Sequence, residues 1–281
     1  YAFRLSIIAS LVRAPELMIS ECRLCGGSNL RPWMQDGRNR DLVYYRCGDC
    51  ALWNYDLDCG VDQTQYTEVY ISPRDVGHKS NRLNVDSWNF LKRYAETPRS
   101  IMDIGCGNAG LLHLAREAGW EVAGMELSQQ AADSIREDQG IEVIVSDFLQ
   151  YENPEGRRYD VVSLRHVLEH LPDSILAMQK ISALLKDNGL ALLEFPNTGS
   201  FSYKLKRILK NRGLKNAKYA PEWRPGHVNE FCRRSFEYLL RQTGFELVVW
   251  RTYSNKPVAN AFYRWVPIAS KVRTLVRKLP D

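Results

Sequence analysis

The chain is sparing with several kinds of residue. Five histidines and seven cysteines serve 281 residues, so side chains suited to base catalysis or metal ligation are few enough to take one by one. No run of eighteen apolar residues occurs, which excludes a transmembrane helix. There is no internal repeat and no low-complexity tract. A net charge of +5 is too small to demand a polyanionic partner. What remains is a length that holds one α/β domain plus a small appendage.

Four of the seven cysteines form two CxxC pairs, Cys22 with Cys25 and Cys47 with Cys50, separated by twenty-one residues. That spacing is the pattern of a four-thiolate zinc ribbon, in which two tight knuckles surround one Zn²⁺. Disulfide pairing is the rival reading, but nothing else in the sequence suggests secretion, and a cytoplasmic setting follows. A segment this short has too little core to fold alone, so the ion would supply its stability as a structural site. Between the knuckles, Arg31, Arg38, Arg40 and Arg46 alternate with Trp33, Tyr44 and Tyr45. The mixture suits nucleic acid, yet the same alternation lets a small ribbon bury its own face, and that reading is preferred. Cys59, Cys106 and Cys232 have no partner at metal spacing and read as small apolar residues.

Further on, Gly105-Cys106-Gly107-Asn108-Ala109-Gly110 follows a strand-like stretch, Ser100 to Ile104, and precedes a helix-like one beginning at Leu111. Glycines at such a turn let a ligand approach bare backbone. Glu126, twenty-one residues beyond Gly105 at the tip of the next strand, is placed to accept two hydrogen bonds from a ribose. A pyrophosphate would be repelled by Asp103. S-adenosylmethionine (SAM) carries an ammonium and a sulfonium, which an acid at this place attracts. Asp147 with Phe148, closing a third strand, suits the amino group and face of an adenine. Fourth and fifth strands follow at Tyr159–Leu164 and Leu190–Phe195.

With the phrases His-Val-Leu-Glu-His-Leu-Pro-Asp at 166–173 and Glu-Phe-Pro-Asn at 194–197, these residues resemble a class I SAM-dependent methyltransferase over roughly residues 95–250. They are similar to its small-molecule and glycan-modifying branch. The resemblance implies a Rossmann-like α/β sheet flanked by helices. It places Asp103, Gly105 and Gly107 at the methionine end, Glu126 at the ribose, and Asp147 and Phe148 at the adenine. Ala109 stands where the family usually has its third glycine. The order of ribbon followed by SAM domain is similar to that of the sugar C-methyltransferases. In those enzymes a histidine in a segment like Pro225-Gly226-His227-Val228-Asn229-Glu230-Phe231 serves as base. His227 is therefore the candidate base, with a loop hydrogen bond as its plainer role. Arg224 and Gly226 stand where those relatives carry Tyr and Glu.

His166, expected near the acceptor, shares one face with Glu169 and His170 if a helix starts near Arg165. The trio is similar to the Glu-x-x-Glu-His of metal-assisted O-methyltransferases of ubiquinone synthesis and small RNA, with His166 replacing the first Glu. Whether it binds a second metal stays open. The expected organisation is an extension over 1–19, with Met18 a candidate start, and a zinc ribbon over 20–55. A linker over 56–80 leads to the SAM domain over 81–255 and a basic helical segment over 256–281. Basic residues crowd two stretches, Lys204 to Lys218 and Lys271 to Lys278. The first would attract acidic substrates or a lipid phosphate, and the last segment could touch a membrane surface. The activity this predicts is methyl transfer to a small polar acceptor, foremost a sugar or saccharide intermediate. RNA methylation through the ribbon and SAM binding without catalysis are the alternatives.

Overall fold

The computed structural model describes residues 19–62, 78–95, 99–215, 219–254 and 269–280. The amino-terminal extension, most of the expected linker and the residues around Pro267 lie outside them. Two sheets organise the chain. The larger has seven strands in the order β10-β11-β8-β7-β4-β5-β6. Its parallel core is β4 (Ser100–Ile104), β5 (Glu121–Glu126), β6 (Glu142–Val145), β7 (Tyr159–Arg165) and β8 (Leu185–Pro196). These strands read as apolar runs because helices cover both faces of the sheet. Met102, Val162 and Leu193 are buried on one side, and Ile101, Val161 and Leu192 on the other.

The chain winds from β4 towards β6 in one direction and from β7 to β8 in the other, so β4 and β7 flank the switch point. A ligand crevice forms there, at the carboxyl ends of the strands. The covering helices are α1 (His78–Leu91), α2 (Gly110–Glu117), α3 (Gln129–Gln139), α4 (Ser174–Leu184), α5 (Phe201–Asn211) and α6 (Arg233–Gln242). Their starts are set locally. Ser128, Asp173 and Ser200 each accept a hydrogen bond from a backbone N–H in the first turn of α3, α4 and α5.

The carboxyl end departs from the helix expected over 256–281. Lys271–Lys278 is a strand, β11, running antiparallel between β8 and β10 (Phe245–Tyr253). Two neighbouring strands with backbone groups to satisfy outweigh a helical spacing of apolar residues. The period that counts is two: Val272 and Val276 join the core on one face and Leu275 on the other. Burying such a side chain contributes about 1.5–3 kcal/mol. The main sheet thus includes Lys271–Lys278, beyond the boundary expected at 255, and α1 begins at His78, inside the stretch read as linker. A membrane-surface helix over 271–278 is ruled out by the same pairing.

The smaller sheet is antiparallel, in the order β1 (Leu30–Asp36), β2 (Leu42–Cys47), β3 (Trp53–Tyr55), β9 (Asn229–Glu230). Its fourth strand comes from far along the chain, just before α6. Tyr44 and Tyr45 are buried in the ribbon, as the self-burying alternation requires. The free edge of β1 is closed by α5: Asn211 accepts from Gln35 N at 2.9 Å and donates to Trp33 O at 3.1 Å.

Candidate active site

On the cofactor side, β4 ends in a loop whose Gly105, Gly107 and Ala109 all have positive φ. A Cβ on Gly105 would come within 2.6 Å of Val167, whereas one on Gly107 would meet nothing within 4 Å. The first glycine is required by packing and the second opens onto the crevice. Glu126 closes the mouth: its two oxygens accept from Gly107 N at 2.8 Å and Leu127 N at 2.9 Å. Beside it, Leu127 is 41% exposed, an apolar surface that the motif reading did not single out. Asp147 is exposed at the end of β6, while Phe148 is buried in the core. An open glycine turn, an acid at its rim and an exposed apolar residue beside it fit an adenosine.

Asp103 lies beneath this loop, fully buried. Its carboxylate accepts from Arg165 at 3.0 Å and from Ser163. Burial pushes its carboxyl above the usual range against the pull of Arg165 and Ser163. The acid thus meets a guanidinium of the chain itself, not the open crevice. Arg165 also donates to Asn84 at 2.7 Å, tying α1 to the switch point.

A second buried network adjoins it. Glu194, in β8, accepts from Arg273 Nε at 2.7 Å, from Tyr253 at 2.6 Å and from Ser87. Burial acts to raise its carboxyl, but the charge and hydrogen bonds of Arg273 carry it down to about 2. The sequence hid Arg273 among basic residues that read as surface. Only its two-residue spacing from Leu275, which is buried on the same face of the strand, could have marked it as inward-facing.

On the acceptor side, β7 ends at Arg165 and His166 takes a left-handed φ of 60°. No helix starts there. A single 3₁₀ turn, Leu168–His170, follows, so His166 keeps its contact with Glu169 but does not join the cluster that Glu169 and His170 form. Its Nδ1 lies 3.2 Å from Glu169 Oε1, and its Nε2 is 3.1 Å from Lys271 Nζ and 3.4 Å from the Tyr253 hydroxyl.

Glu169, His170 and His227 instead converge, with ligand atoms within 4.8 Å of one another. His170 Nδ1 donates to Gly226 O at 2.8 Å, which fixes Nε2 as its acceptor nitrogen. His227 Nδ1 is 3.3 Å from Glu230 Oε1, and the two imidazoles meet edge to face at 4.7 Å. Burial alone would lower His227, but the Glu230 hydrogen bond and charge raise it above the ordinary histidine value. Burial lowers His170. Glu169 Oε2 and Glu230 Oε2 are buried without a hydrogen-bond partner.

The four ribbon cysteines gather as the spacing predicts. Their sulfurs lie within 4.8 Å of one another, with Cys22–Cys50 and Cys25–Cys47 each at 3.5 Å. All seven cysteines are free thiols. Asn54 Nδ2, Asp49 N and Leu52 N point at three of these sulfurs at 3.4–3.5 Å. Such donors stabilise thiolates around a cation, and the set fits one Zn²⁺. The first knuckle also reaches the acceptor side. Arg23 donates to Tyr55 O at 2.7 Å, to Val228 O, and to Asn229 Oδ1 at 3.3 Å. Tyr44 donates to the carbonyl of His227 at 3.0 Å.

The family model described as "Methyltransferase domain" matches residues 76–249, more than half of the chain. A ubiquinone biosynthesis O-methyltransferase of Burkholderia thailandensis is 26% identical over 192 residues, 64% of this chain and 79% of that protein. Another, from Actinobacillus pleuropneumoniae serotype 7, is 27% identical over 142 residues, and the match spans only 58% of that relative's length. Among solved structures, the magnesium protoporphyrin IX methyltransferase of Synechocystis PCC 6803 with bound SAH aligns with a TM-score of 0.52 at 16% identity. That alignment covers 71% of this chain and 84% of the other. A protein of Pyrococcus horikoshii OT3 aligns at 0.54 and 16% identity, covering 76% and 95%. These two share the fold. The match over residues 76–249 makes this chain a member of the methyltransferase-domain family.

Proposed function

We propose that the chain methylates a hydroxyl of a small polar acceptor, with His227 as the general base. The observation that carries this is the His227–Glu230 pair. It sits at the carboxyl edge of the sheet, with the imidazole one-third exposed and the acid buried behind it. Glu230 holds Nδ1 protonated, so Nε2 is the nitrogen that takes the acceptor's proton. When bound, SAM supplies an electrophilic methyl group on a positively charged sulfur. Gly105, Gly107, Glu126 and Asp147 would hold it, with Asp103 acting through Arg165 to fix the floor of the loop. His166, Glu169, His170 and Lys206 make the acceptor side strongly polar. A polyhydroxylated acceptor such as a sugar suits that wall, and the names of the curated relatives support oxygen as the methylated atom. Free thiols and a zinc ribbon suit a reducing, cytoplasmic setting.

His227→Gln should abolish most turnover while leaving SAM affinity unchanged. Glu230→Gln should shift the acid limb of the rate profile to lower pH, because the partner that raises the imidazole is gone. Unchanged turnover in His227→Gln refutes the assignment.

One observation favours a second reading of the same residues. The orphaned Glu169 Oε2 and the two imidazoles fit a divalent cation, which would polarise the acceptor oxygen. Glu169, His170 and His227 would hold it. Activity that persists after chelation mild enough to leave the ribbon's zinc in place rules this reading out.

A further inference from the structure

We propose that the seam between the ribbon and α5 is a binding site for a phosphate group, formed by Arg31, Arg46 and Arg207 around Trp33. The β1–β2 register sets Arg31 directly opposite Arg46. Like charges in that relation destabilise a sheet. α5 then adds a third cation. The Arg207 guanidinium stacks 3.9 Å from the Trp33 ring centre, and those of Arg31 and Arg46 lie 4.9 Å from it. Three guanidiniums so close to one ring lie within about 10 Å of one another, roughly the screening length at 0.1 M salt.

No carboxylate compensates them. Among the described residues, none of the three arginines takes part in an ion pair. From Phe195 to Pro221 the sequence holds no acidic residue at all. Arg207 shows the consequence, its proton made easier to lose by burial and by the repulsion of Arg46 and Arg31.

The cluster is built, not incidental. Asn211 fixes α5 to the edge of β1, and Lys210, fully buried, pairs with Asp36 one turn from Arg207. Trp33 packs edge to face on Trp53 at 6.2 Å. Planar guanidiniums converging without a carboxylate match the bidentate recognition of phosphate oxygens. Trp33 and Tyr203 belong to the same apolar cluster as Val228, the residue after His227. A bound phosphate would therefore lie along the wall that leads to the base.

The phosphate could belong to a soluble ester or to a lipid headgroup. Phe201, Leu205 and Ile208 share the outward face of α5 and are 66%, 45% and 42% exposed, which is what a bilayer would meet. The measurement is binding without turnover, so it is independent of the methyl acceptor and of the base. Inorganic pyrophosphate is titrated calorimetrically at fixed ionic strength into the wild type, Arg46→Gln and Arg207→Gln. Vesicles of phosphatidylglycerol or phosphatidylcholine are sedimented with the same proteins and with Leu205→Ser/Ile208→Ser.

The expected result is saturable pyrophosphate binding that weakens with salt and falls roughly tenfold or more in each arginine variant. Without ligand, Arg46→Gln should melt no lower than the wild type, since it relieves a repulsion. Phosphatidylglycerol vesicle binding lost in both arginine variants and also in the leucine–isoleucine variant, the last still binding pyrophosphate, assigns the phosphate to a bilayer. Pyrophosphate binding without vesicle binding assigns it to a soluble ester. Equal pyrophosphate affinity in wild type and both arginine variants overturns the site, as does binding of an RNA oligomer by protein that ignores pyrophosphate.

Discussion

Replacing Arg23 by glutamine should slow methyl transfer without weakening SAM. Arg23 stands inside the first cysteine knuckle, yet two of its hydrogen bonds go to Val228 O and Asn229 Oδ1, next to the proposed base. A third goes to Tyr55 O at 2.7 Å. Hydrogen bonds from a charged donor contribute about 1.5–3 kcal/mol each, and glutamine is too short to replace the two terminal ones. The loss of docking is then about 3–5 kcal/mol, less than a strict sum because water re-solvates part of the exposed backbone. The glycine loop and Glu126 sit on β4 and β5, away from this contact, so cofactor affinity should hold. A base displaced by about 1 Å costs on the order of a hundredfold in rate. The assay pairs kcat with calorimetric SAM affinity and with zinc content. Expected are a kcat lower by roughly ten- to a hundredfold, an unchanged SAM Kd and full metal occupancy. A kcat within about twofold of wild type would show that the ribbon does not position the base, and the coupling argument would fail.

Three other outcomes follow from the same geometry. Gly105→Ala forces a side chain into a left-handed turn and against Val167, so SAM binding should weaken by at least about tenfold, read by titration. Glu194 has a folded value of about 2, below its unfolded value near 4.3, so its stabilisation is present above about pH 4.5 and drains away as pH falls towards 2. The amount is up to about 3 kcal/mol; Glu194→Gln should abolish this acid dependence and, by stranding Arg273, cost about 3–5 kcal/mol in denaturant titration. Strong chelation should release one zinc per chain, unfold the ribbon and depress turnover while SAM still binds; thiol titration and metal analysis check the stoichiometry.

The glycine turn, the five strands from Ser100 to Phe195 and the four-cysteine cluster were all legible in the sequence, because each depends on residues close together in the chain. The paired knuckles needed only their own spacing. What stayed hidden depended on distant partners. Asp103 looked like a ligand for a cationic cofactor, and nothing near it in sequence announces Arg165 as the group it meets. Lys271–Lys278 carries apolar residues at spacings compatible with a helix or a strand, and only the vacancy between β8 and β10 decides the matter. His166 meets Glu169 three residues on, but its left-handed backbone sets its other ring nitrogen beside Lys271 and leaves it out of the cluster of His170 and His227. The link from Arg23 to Val228 spans two domains and has no sequence signal at all.

The position of β11 carries a practical consequence. A chain trimmed at residue 255, where the helical reading of 256–281 sets the boundary, would leave two strands of the main sheet facing an empty slot. Both would expose ladders of unmet amide and carbonyl groups, the usual template for self-association. Material shortened that way should therefore precipitate or form mixed oligomers, and fusion partners are better joined beyond Lys278 than within the preceding strand.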